Sequence, residues 1–575
     1  MTDRPHLRGF FVERRGEEPP RAWPEPVTVR GVDVWFHGYL SDTDGARRAA
    51  DKVAAAYHGK GTEFGQHLRG EFAAVIADGP VLVFGGDRMG LRPLYFGDDD
   101  GSVVLSTDLE AIARETRASA IDETYVADLL TEGRHLGTRT PYLRVRRLGI
   151  GQAGKWSPRG LTVSNEWQPT ITPVAGDLRV HQDRLVQAVD AAVRSATPEG
   201  PVAVHLSGGL DSSTVLACLP DGHTVHAIST VYSAHASCDE REWMGESLRR
   251  NPAHWHPIDV SRCLPFSAGP DFDHFVSAPS YATITWAQDR RESVVAQQAG
   301  ATAILTGEGG DEVFAAGVAP WHIADLIRGG HWRTGWQEAR RWSSDAPAPR
   351  PATYWLLRAG LNGWTRWRRR EELAMHKRAP LTVSAPWLTD EYAGSARWAA
   401  RPDVRHFPRM GRIDQQATVE GILQAAETVR SSYPFSAHGV DTRHPFLSAE
   451  MVDVALSTPW QAGVDPRIDR AVQRYAFDGR MSDVTLRRRS KATSDLAIFR
   501  GLDQAPDWIE LLWESPQIVQ RGYVDLARWR ESIDRSTVGW LHSVHHFKAA
   551  VQVEHWLSQL HTMGAPRLLR TGRGR

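Results

Sequence analysis

The sequence predicts an α/β protein of two domains: a strand-rich amino-terminal domain, then a larger one built on a doubly wound parallel sheet. Three observations predict it. The 575 residues exceed what one ordinary core encloses, so two or three domains are expected. Residues 27–40 (VTVRGVDVWFHGYL) and 71–96 mix short apolar runs with Gly and Asp punctuation, a pattern of strands and turns. Beyond residue 178, strand and helix signals alternate, which argues for a parallel sheet covered on both faces.

Taken in order, DGARRAADKVAAAYH reads as a helix between the early strands, and residues 1–165 form the first domain. Polar, Pro-containing sequence around VSNEWQPTITPVAGD makes 166–180 a linker. Leu178, Val180, Leu185, Val186, Val189 and Val193 then recur near the helical period. VAVHL is a short buried strand, and DSSTVLACL is a helix that opens on capping residues. TVHAISTVY and TAILTG are further strands, while DEREWMGESLRR and RESVVAQQAGA are further helices. The second domain spans 181–560; within it 319–420 is a Trp- and Arg-rich helical region, and 561–575 is a basic tail.

Composition excludes several classes. Hydrophobic residues at 41% and charged residues at 24% describe a globular chain. Lys+Arg 68 against Asp+Glu 69 leaves a net charge of -1, where a nucleic-acid binder would be basic, so no nucleic acid is expected. No apolar run is long enough to span a membrane, and the first residues, MTDRPHLRGFFVERRGEE, contain no apolar signal segment. A cytoplasmic protein is expected. Cys218, Cys238 and Cys263 form no C-x-x-C and fit no zinc spacing; an odd number of lone thiols suits a reducing compartment. Lysine is rare, with Lys52, Lys60, Lys155, Lys377, Lys491 and Lys548 the only six, so a lysine inside a motif is informative.

Two loops carry the chemistry. Leu206-Ser207-Gly208-Gly209-Leu210-Asp211-Ser212-Ser213 lies where a buried strand ends and a helix begins. Its glycines let the backbone approach a ligand, and hydroxyls with free N–H groups at a helix start suit a phosphate or pyrophosphate. Asp211 would repel that anion unless a divalent cation stood between them, so it reads as a Mg²⁺ ligand. The bland alternative is an ordinary strand-to-helix turn. About a hundred residues on, Leu305-Thr306-Gly307-Glu308-Gly309-Gly310-Asp311-Glu312 again follows an apolar run and precedes a helix. At the end of another strand of the same sheet it can face the first loop across one crevice. Asp311 is then a second Mg²⁺ ligand and Glu308 a candidate base. Together the loops point to ATP, with chemistry at the α-phosphate.

S-G-G-L-D-S-S followed by G-E-G-G-D-E resembles the synthetase domain of the asparagine synthetase superfamily. Arg443-His444-Pro445-Phe446-Leu447 is similar to that family's R-x-P-F-L segment, and Arg487 to Lys491 (RRRSK) to its late basic loop. Phe36-His37-Gly38, Leu68-Arg69-Gly70-Glu71-Phe72-Ala73 and Asp87-Arg88-Met89-Gly90-Leu91-Arg92-Pro93-Leu94-Tyr95 resemble a class II glutaminase. The resemblance covers most of the chain, with 319–420 divergent. It implies an Ntn-hydrolase-like αββα first domain and an adenine-nucleotide-hydrolase-like synthetase domain with added helices. It also implies an ATP and pyrophosphate set of Leu206, Ser207, Gly208, Gly209, Asp211, Ser212, Ser229 and Gly307. Asp211 and Asp311 are the implied metal ligands, and Lys491 and Glu308 the implied catalytic residues.

The chain departs from the family at the glutaminase. Where glutamine-dependent members carry a nucleophilic cysteine after the initiator methionine, this sequence has Thr2, and no cysteine precedes Cys218. The family's N-G pair, an oxyanion donor, is His37-Gly38. A degenerate, structural first domain is expected. Without an ammonia source the amine must come from the substrate, as in branches of the superfamily that adenylate a carboxylate and close a ring. β-Lactam synthetases use a tyrosine where this chain has Glu308, and lasso peptide cyclases commonly carry G-G-D-E. The resemblance therefore implies a macrolactam-forming ligase. It would use ATP and Mg²⁺ to join an Asp or Glu side chain of a precursor peptide to the core peptide's amino terminus. A leader-peptide recognition protein and a leader peptidase are the expected partners. The alternatives are an ammonia-dependent asparagine synthetase or other small-molecule amide ligase, and an inactive peptide-binding scaffold.

Weaker signals have bland readings. Nine tryptophans between Trp321 and Trp398, with runs such as TRWRRR, suit a peptide surface or simple helix packing. His254-Trp-His256 and His545-His546 lack metal partners at a recognisable spacing. Asp239-Glu240 reads as a helix cap.

Overall fold

A computed structural model describes residues 10–15, 21–41, 43, 45–99, 101–115, 120–135, 137–170, 172, 174–271, 276–314, 321–346, 350–358, 385–394, 413–432, 440–459, 463–489, 495–538 and 544–562.

The first domain holds β1 (Phe11–Arg15), β2 (Arg21–Trp23), β3 (Val27–Val29), β4 (Val32–Leu40), β5 (Gly70–Asp78), β6 (Val81–Gly86), β7 (Tyr95–Asp99), β8 (Ser102–Ser106), β9 (Arg146–Arg147), β10 (Gln152–Ser157) and β11 (Gly160–Asn165). They form two antiparallel sheets, ordered β2-β1-β8-β7-β9 and β11-β10-β6-β5-β4-β3. β5, the sequence GEFAAVIAD, is buried from Glu71 to Ala77 because both of its faces are covered. Ala73, Val75 and Ala77 meet Val12, Val103 and Leu105 of the other sheet. Phe72, Ala74 and Ile76 pack on Ala50, Val53 and Ala54 of the helix Ala46–Lys60. The far face of the smaller sheet is covered by the helices Leu109–Glu115 and Glu123–Glu132. The layering is αββα.

The second domain is built on β12 (Val202–His205), β13 (Val225–Val231), β14 (His254–Asp259), β15 (Ala303–Leu305) and β16 (Asp441–Arg443), all parallel, in the order β14-β13-β12-β15-β16. Alternate residues of β12 serve opposite cores: Val202 and Val204 pack with Val189 and Val193 of the helix Leu178–Ala196. Ala203 packs with Ala296 of the helix Ala282–Gln298. The sheet is doubly wound, as the alternation of strand and helix signals predicts. Chain order reverses at β12, whose neighbours are β13 on one side and β15 on the other, so a crevice opens at their carboxyl ends.

Local detail differs from expectation in several places. Leu178 and Val180 belong to the helical period but are 43% and 41% exposed, whereas Leu185, Val189 and Val193 are buried; Asp177 caps the first turn through the Val180 N–H. The helix expected over RESVVAQQAGA begins earlier, at Ala282. His254 and His256 lie on edge strand β14, where His256 Nε2 is 3.0 Å from His226 Nδ1. Among the described residues no group of three or more His, Cys, Asp or Glu side chains could hold a metal, and no helix is long and apolar enough to cross a membrane. Of the tryptophans, Trp342, Trp355 and Trp387 are core residues, whereas Trp332 is 65% exposed. Trp364, Trp367, Trp398 and the stretch 563–575 lie outside the described residues.

Candidate functional site

The first loop leaves β12 and enters the helix Leu210–Ala217. Gly208 has φ +74°, and a Cβ there would lie 2.8 Å from Trp243 Cβ and the Met244 nitrogen, so glycine is required twice over. Ser212 ties the loop: its Oγ accepts the Ser207 N–H at 3.2 Å and lies 3.1 Å from Ser207 Oγ. Gly209, not a polar side chain, is the N-cap, which leaves the first N–H groups of the helix open to an anion. Ser229 on β13 donates its hydroxyl to the Leu206 carbonyl at 2.6 Å and fixes the loop's origin rather than lining it.

The second loop lies directly against the first. A Cβ on Gly307 would be 2.9 Å from Asp211 Cβ and the Ser212 nitrogen, and one on Gly310 would be 2.5 Å from Asp211 Cγ. Gly309, at φ +87°, turns the loop beneath Leu447. Glu308 is exposed at its tip, and its N–H donates to Thr306 Oγ1 at 3.4 Å. Gly310→Ala is therefore expected to fold but to lose ATP-dependent turnover, because the new methyl displaces the Asp211 carboxylate; overpacking costs about 1–3 kcal/mol. A thermal melt beside an AMP-release assay checks both halves.

Asp211 and Asp311 are brought around a single cation, and in this structure the cation is Arg470. Its Nη1 donates to Asp211 Oδ2 at 2.8 Å and lies 2.9 Å from Asp311 Oδ1. Gln473 Nε2 donates to Asp211 Oδ1 at 3.2 Å and to Thr214 Oγ1 at 3.1 Å. Burial raises the Asp211 carboxyl, Arg470 opposes that, and the neighbouring Asp311 charge adds to it. The same two carboxylates pull the Arg470 guanidinium up against its own burial. Arg470 holds φ +51°, a left-handed conformation that costs about 1–2 kcal/mol in a non-glycine residue, and it caps the helix Ala471–Ala476. Two acidic ligands sharing one positive centre beside an open helix start fit a Mg²⁺ ion, which takes one or two protein carboxylates and fills its octahedron with phosphate oxygens and water.

The late basic segment reaches the same place. Arg488 Nη1 donates to the Gly208 carbonyl at 3.0 Å, its guanidinium lies 4.6 Å over the Trp243 ring, and it pairs with Glu240. Glu240 occupies the N-cap position of the helix Arg241–Arg250, as expected, but its side chain makes no capping hydrogen bond and pairs with Arg488 instead; Asp239 accepts the Arg241 N–H at 3.2 Å. Ser490 and Lys491 lie outside the described residues.

A family model described as asparagine synthase matches residues 181–560. The chain belongs to the asparagine synthase family. A second model, described as a glutamine amidotransferase domain, matches residues 41–167. Among curated proteins the chain is similar to amidase chyE of Penicillium rubens, 26% identical over 46% of this chain and 42% of that one. It is similar to the glutamine-hydrolyzing asparagine synthetase 3 of Bacillus subtilis, 22% identical over 74% of this chain and 67% of that one. It also matches amidase chry2 of Gibberella zeae at 25% identity, over 53% of this chain and 48% of that one. The match thus spans about half the length of the two amidases and about two thirds of the asparagine synthetase.

In this member of the asparagine synthase family the two domains are joined through buried charge. Arg92, which is fully buried, binds Asp441 Oδ1 at 2.7 Å, Glu71 Oε2 at 3.4 Å and the Thr442 carbonyl at 3.3 Å. Glu71 Oε1 accepts the His444 backbone N–H at 2.5 Å. Burial alone would raise the Glu71 carboxyl, but His444 and Arg92 hold it below the usual range. Tyr39, next to His37-Gly38, carries the Arg443 guanidinium 4.0 Å over its ring. A surface of the amidotransferase-like domain is thus occupied by the R-x-P-F-L segment, whose Phe446 packs on Phe314, just past the second loop, and whose Leu447 lies over Gly309 within it. Breaking a buried pair of this kind costs about 3–5 kcal/mol.

Sequence reasoning missed Arg470 and Gln473. Their only local mark is a basic residue among seven that carry three charges (Asp469-Arg470-Ala471-Val472-Gln473-Arg474-Tyr475), which reads equally as a solvated helix. It takes the fold to bring them against Asp211.

Proposed function

We propose that this protein is an ATP- and Mg²⁺-dependent carbon–nitrogen ligase that adenylates a side-chain carboxylate of a precursor peptide and closes a macrolactam with that peptide's terminal amine, releasing AMP and pyrophosphate. The observation that carries the reading is the sharing of one cationic centre by Asp211 and Asp311 beside the open Gly208-Gly209 backbone. The intact site argues against an inactive scaffold. Bound Mg²⁺ would neutralise charge on the triphosphate and polarise the α-phosphate. Ser207, Gly208, Gly209 and Ser212 cradle pyrophosphate with N–H and hydroxyl groups. A Mg²⁺ ion held by Asp211 and Asp311 would stand where Arg470 now pairs with both carboxylates. Glu308 lines the crevice where the acyl group forms, and Lys491 stabilises charge as the amide closes. Holding amine and acyl-adenylate together supplies a large share of the acceleration.

The replacement of the family's Cys and Asn by Thr2 and His37 favours an amine from the substrate over one from glutamine. The purified protein is expected to release no glutamate from glutamine above a no-enzyme control. With ATP, Mg²⁺, aspartate and ammonia it is expected to form no asparagine, whereas a cognate peptide should lose one water by mass spectrometry. Asparagine formation would refute the ring-closing reading in favour of the small-molecule ligase. A separate recognition protein and a leader peptidase would act on the same precursor.

A further inference from the structure

The first domain sends one loop into the second. In Asp87-Arg88-Met89-Gly90-Leu91-Arg92 the Asp87 carboxylate accepts the N–H groups of Met89 at 3.0 Å and of Leu91 and Phe72 at 3.1 Å each, which fixes the loop's shape. Met89 and Leu91 are buried in a core of the second domain, the one that holds Val313, Phe314, Phe446 and Leu447. Two lines of contact lead from here to the loop Gly307-Glu308-Gly309-Gly310-Asp311-Glu312. The first runs along β16. Arg92 binds Asp441 and the Thr442 carbonyl, and the next carbonyl of the strand, that of Arg443, accepts the Thr306 N–H at 3.0 Å. Glu71, the other partner of Arg92, accepts the His444 N–H, and three residues on Leu447 lies over Gly309. The second line runs through the helix Ile413–Ser432. Gly90, at φ +61°, lies against Arg430, where a Cβ would be 3.4 Å from Nε; Gly421 lies against Glu312, where a Cβ would be 3.3 Å from Cγ. The second loop is thus gripped at its entry, its turn and its exit. The first loop is held by Ser212, Ser229 and Arg488, all of the second domain.

We propose that the amidotransferase-like domain is a positioning element of the synthetase site: through Arg92 it sets the second loop, and Asp311 on it, against the first loop. The inference rests on the ligase reading for its effect on ATP; its effect on the loop does not. A loop with glycine at 307, 309 and 310 has little side-chain packing of its own and loses much backbone entropy on ordering, so neighbours must impose its shape. Asp311 must also be placed closely, because two carboxylates serve one metal only where they converge on it. Arg92 does not meet the substrate; it is a positioning residue. A fully buried arginine between Glu71 and Asp441 stabilises no more than apolar packing of the same volume would, and what its directional bonds add is a single register for β16. Such a role needs neither a nucleophile nor an oxyanion donor, in keeping with Thr2 and His37 at the places of the family's Cys and Asn.

The test separates a positioned loop from a loosened fold. Amide hydrogen exchange is followed in the full-length protein without ligand, and ATP binding by calorimetry with and without Mg²⁺. In Arg92→Met the amides of 306–314 are expected to exchange about tenfold faster than in wild type, the scale on which a remote contact shifts a coupled element. Thr306, Val313 and Phe314, whose N–H groups each donate at 3.0 Å, report on it. The amides of 206–213 should stay within about twofold, since local opening differs from one unit of a fold to another. Mg²⁺-dependent ATP binding should weaken about tenfold with the loop. Arg92→Lys keeps a cation facing Asp441 and should return both readings most of the way to wild type. If Arg92→Met does not fold, Glu71→Gln decides by the same comparison: it keeps an oxygen for the His444 N–H and removes only the charge facing Arg92. Unchanged exchange at 306–314, equal acceleration at 306–314 and 206–213, or unaltered ATP binding in a variant whose loop exchanges faster would each overturn the assignment. Wild-type protein that binds no ATP with Mg²⁺ would instead remove the ligase reading, and the exchange comparison would still decide whether the first domain sets the loop.

Discussion

Asp211→Asn is expected to lower substrate-dependent AMP formation by at least about a thousandfold, on the order of 4 kcal/mol of transition-state stabilisation. The substitution keeps the shape of the side chain and removes the charge that a Mg²⁺–triphosphate complex needs. Asp211 is held by Arg470 and Gln473 and lies against Gly307 and Gly310 of the second loop, so a metal bound there would have no substitute ligand on the first loop. The fold should survive. Desolvation of the Asp211 carboxylate opposes its pairing with Arg470, and a neutral amide escapes that cost. Asp311→Asn should act the same way, because Arg470 spans the two carboxylates as one centre. Circular dichroism and an AMP-release assay on both variants check the expectation. Near-normal turnover in either would remove that residue from the metal site.

Lys491→Arg and Lys491→Ala are each expected to lower cyclisation by about a hundredfold or more, comparable with removing an oxyanion donor. The lysine follows Arg487, Arg488, Arg489 and Ser490, and Arg488 grips the Gly208 carbonyl. In a chain with six lysines and 68 basic residues, a solvent-facing cation would have been arginine. An ammonium is a compact charge on a flexible stem, able to follow negative charge from the α-phosphate to the tetrahedral intermediate; a guanidinium is planar and broader. Substrate binding should change little, with Lys377→Arg as the control. A Lys491→Arg enzyme that cyclises at the wild-type rate would sink the idea.

What the sequence determined by itself was whatever depends on neighbours in the chain. The two Gly-rich loops were legible because the chemistry of a strand end, a tight turn and a helix start is written in five to eight consecutive residues, and the doubly wound sheet because strand and helix periods alternate along the chain. Tertiary structure alone decided which charges meet. Arg470 reaches Asp211 across 259 residues and Arg488 reaches Gly208 across 280; the RRRSK segment marks the second as part of a basic loop, but nothing in it names the Gly208 carbonyl as the partner. Asp239-Glu240 read as a cap because acidic residues suit a helix start, and Glu240 does hold the N-cap position, but its carboxylate pairs with Arg488, 248 residues away. Backbone preferences are local and survive in the sequence, whereas the partner of a side-chain charge is set by the packing of elements far apart in the chain.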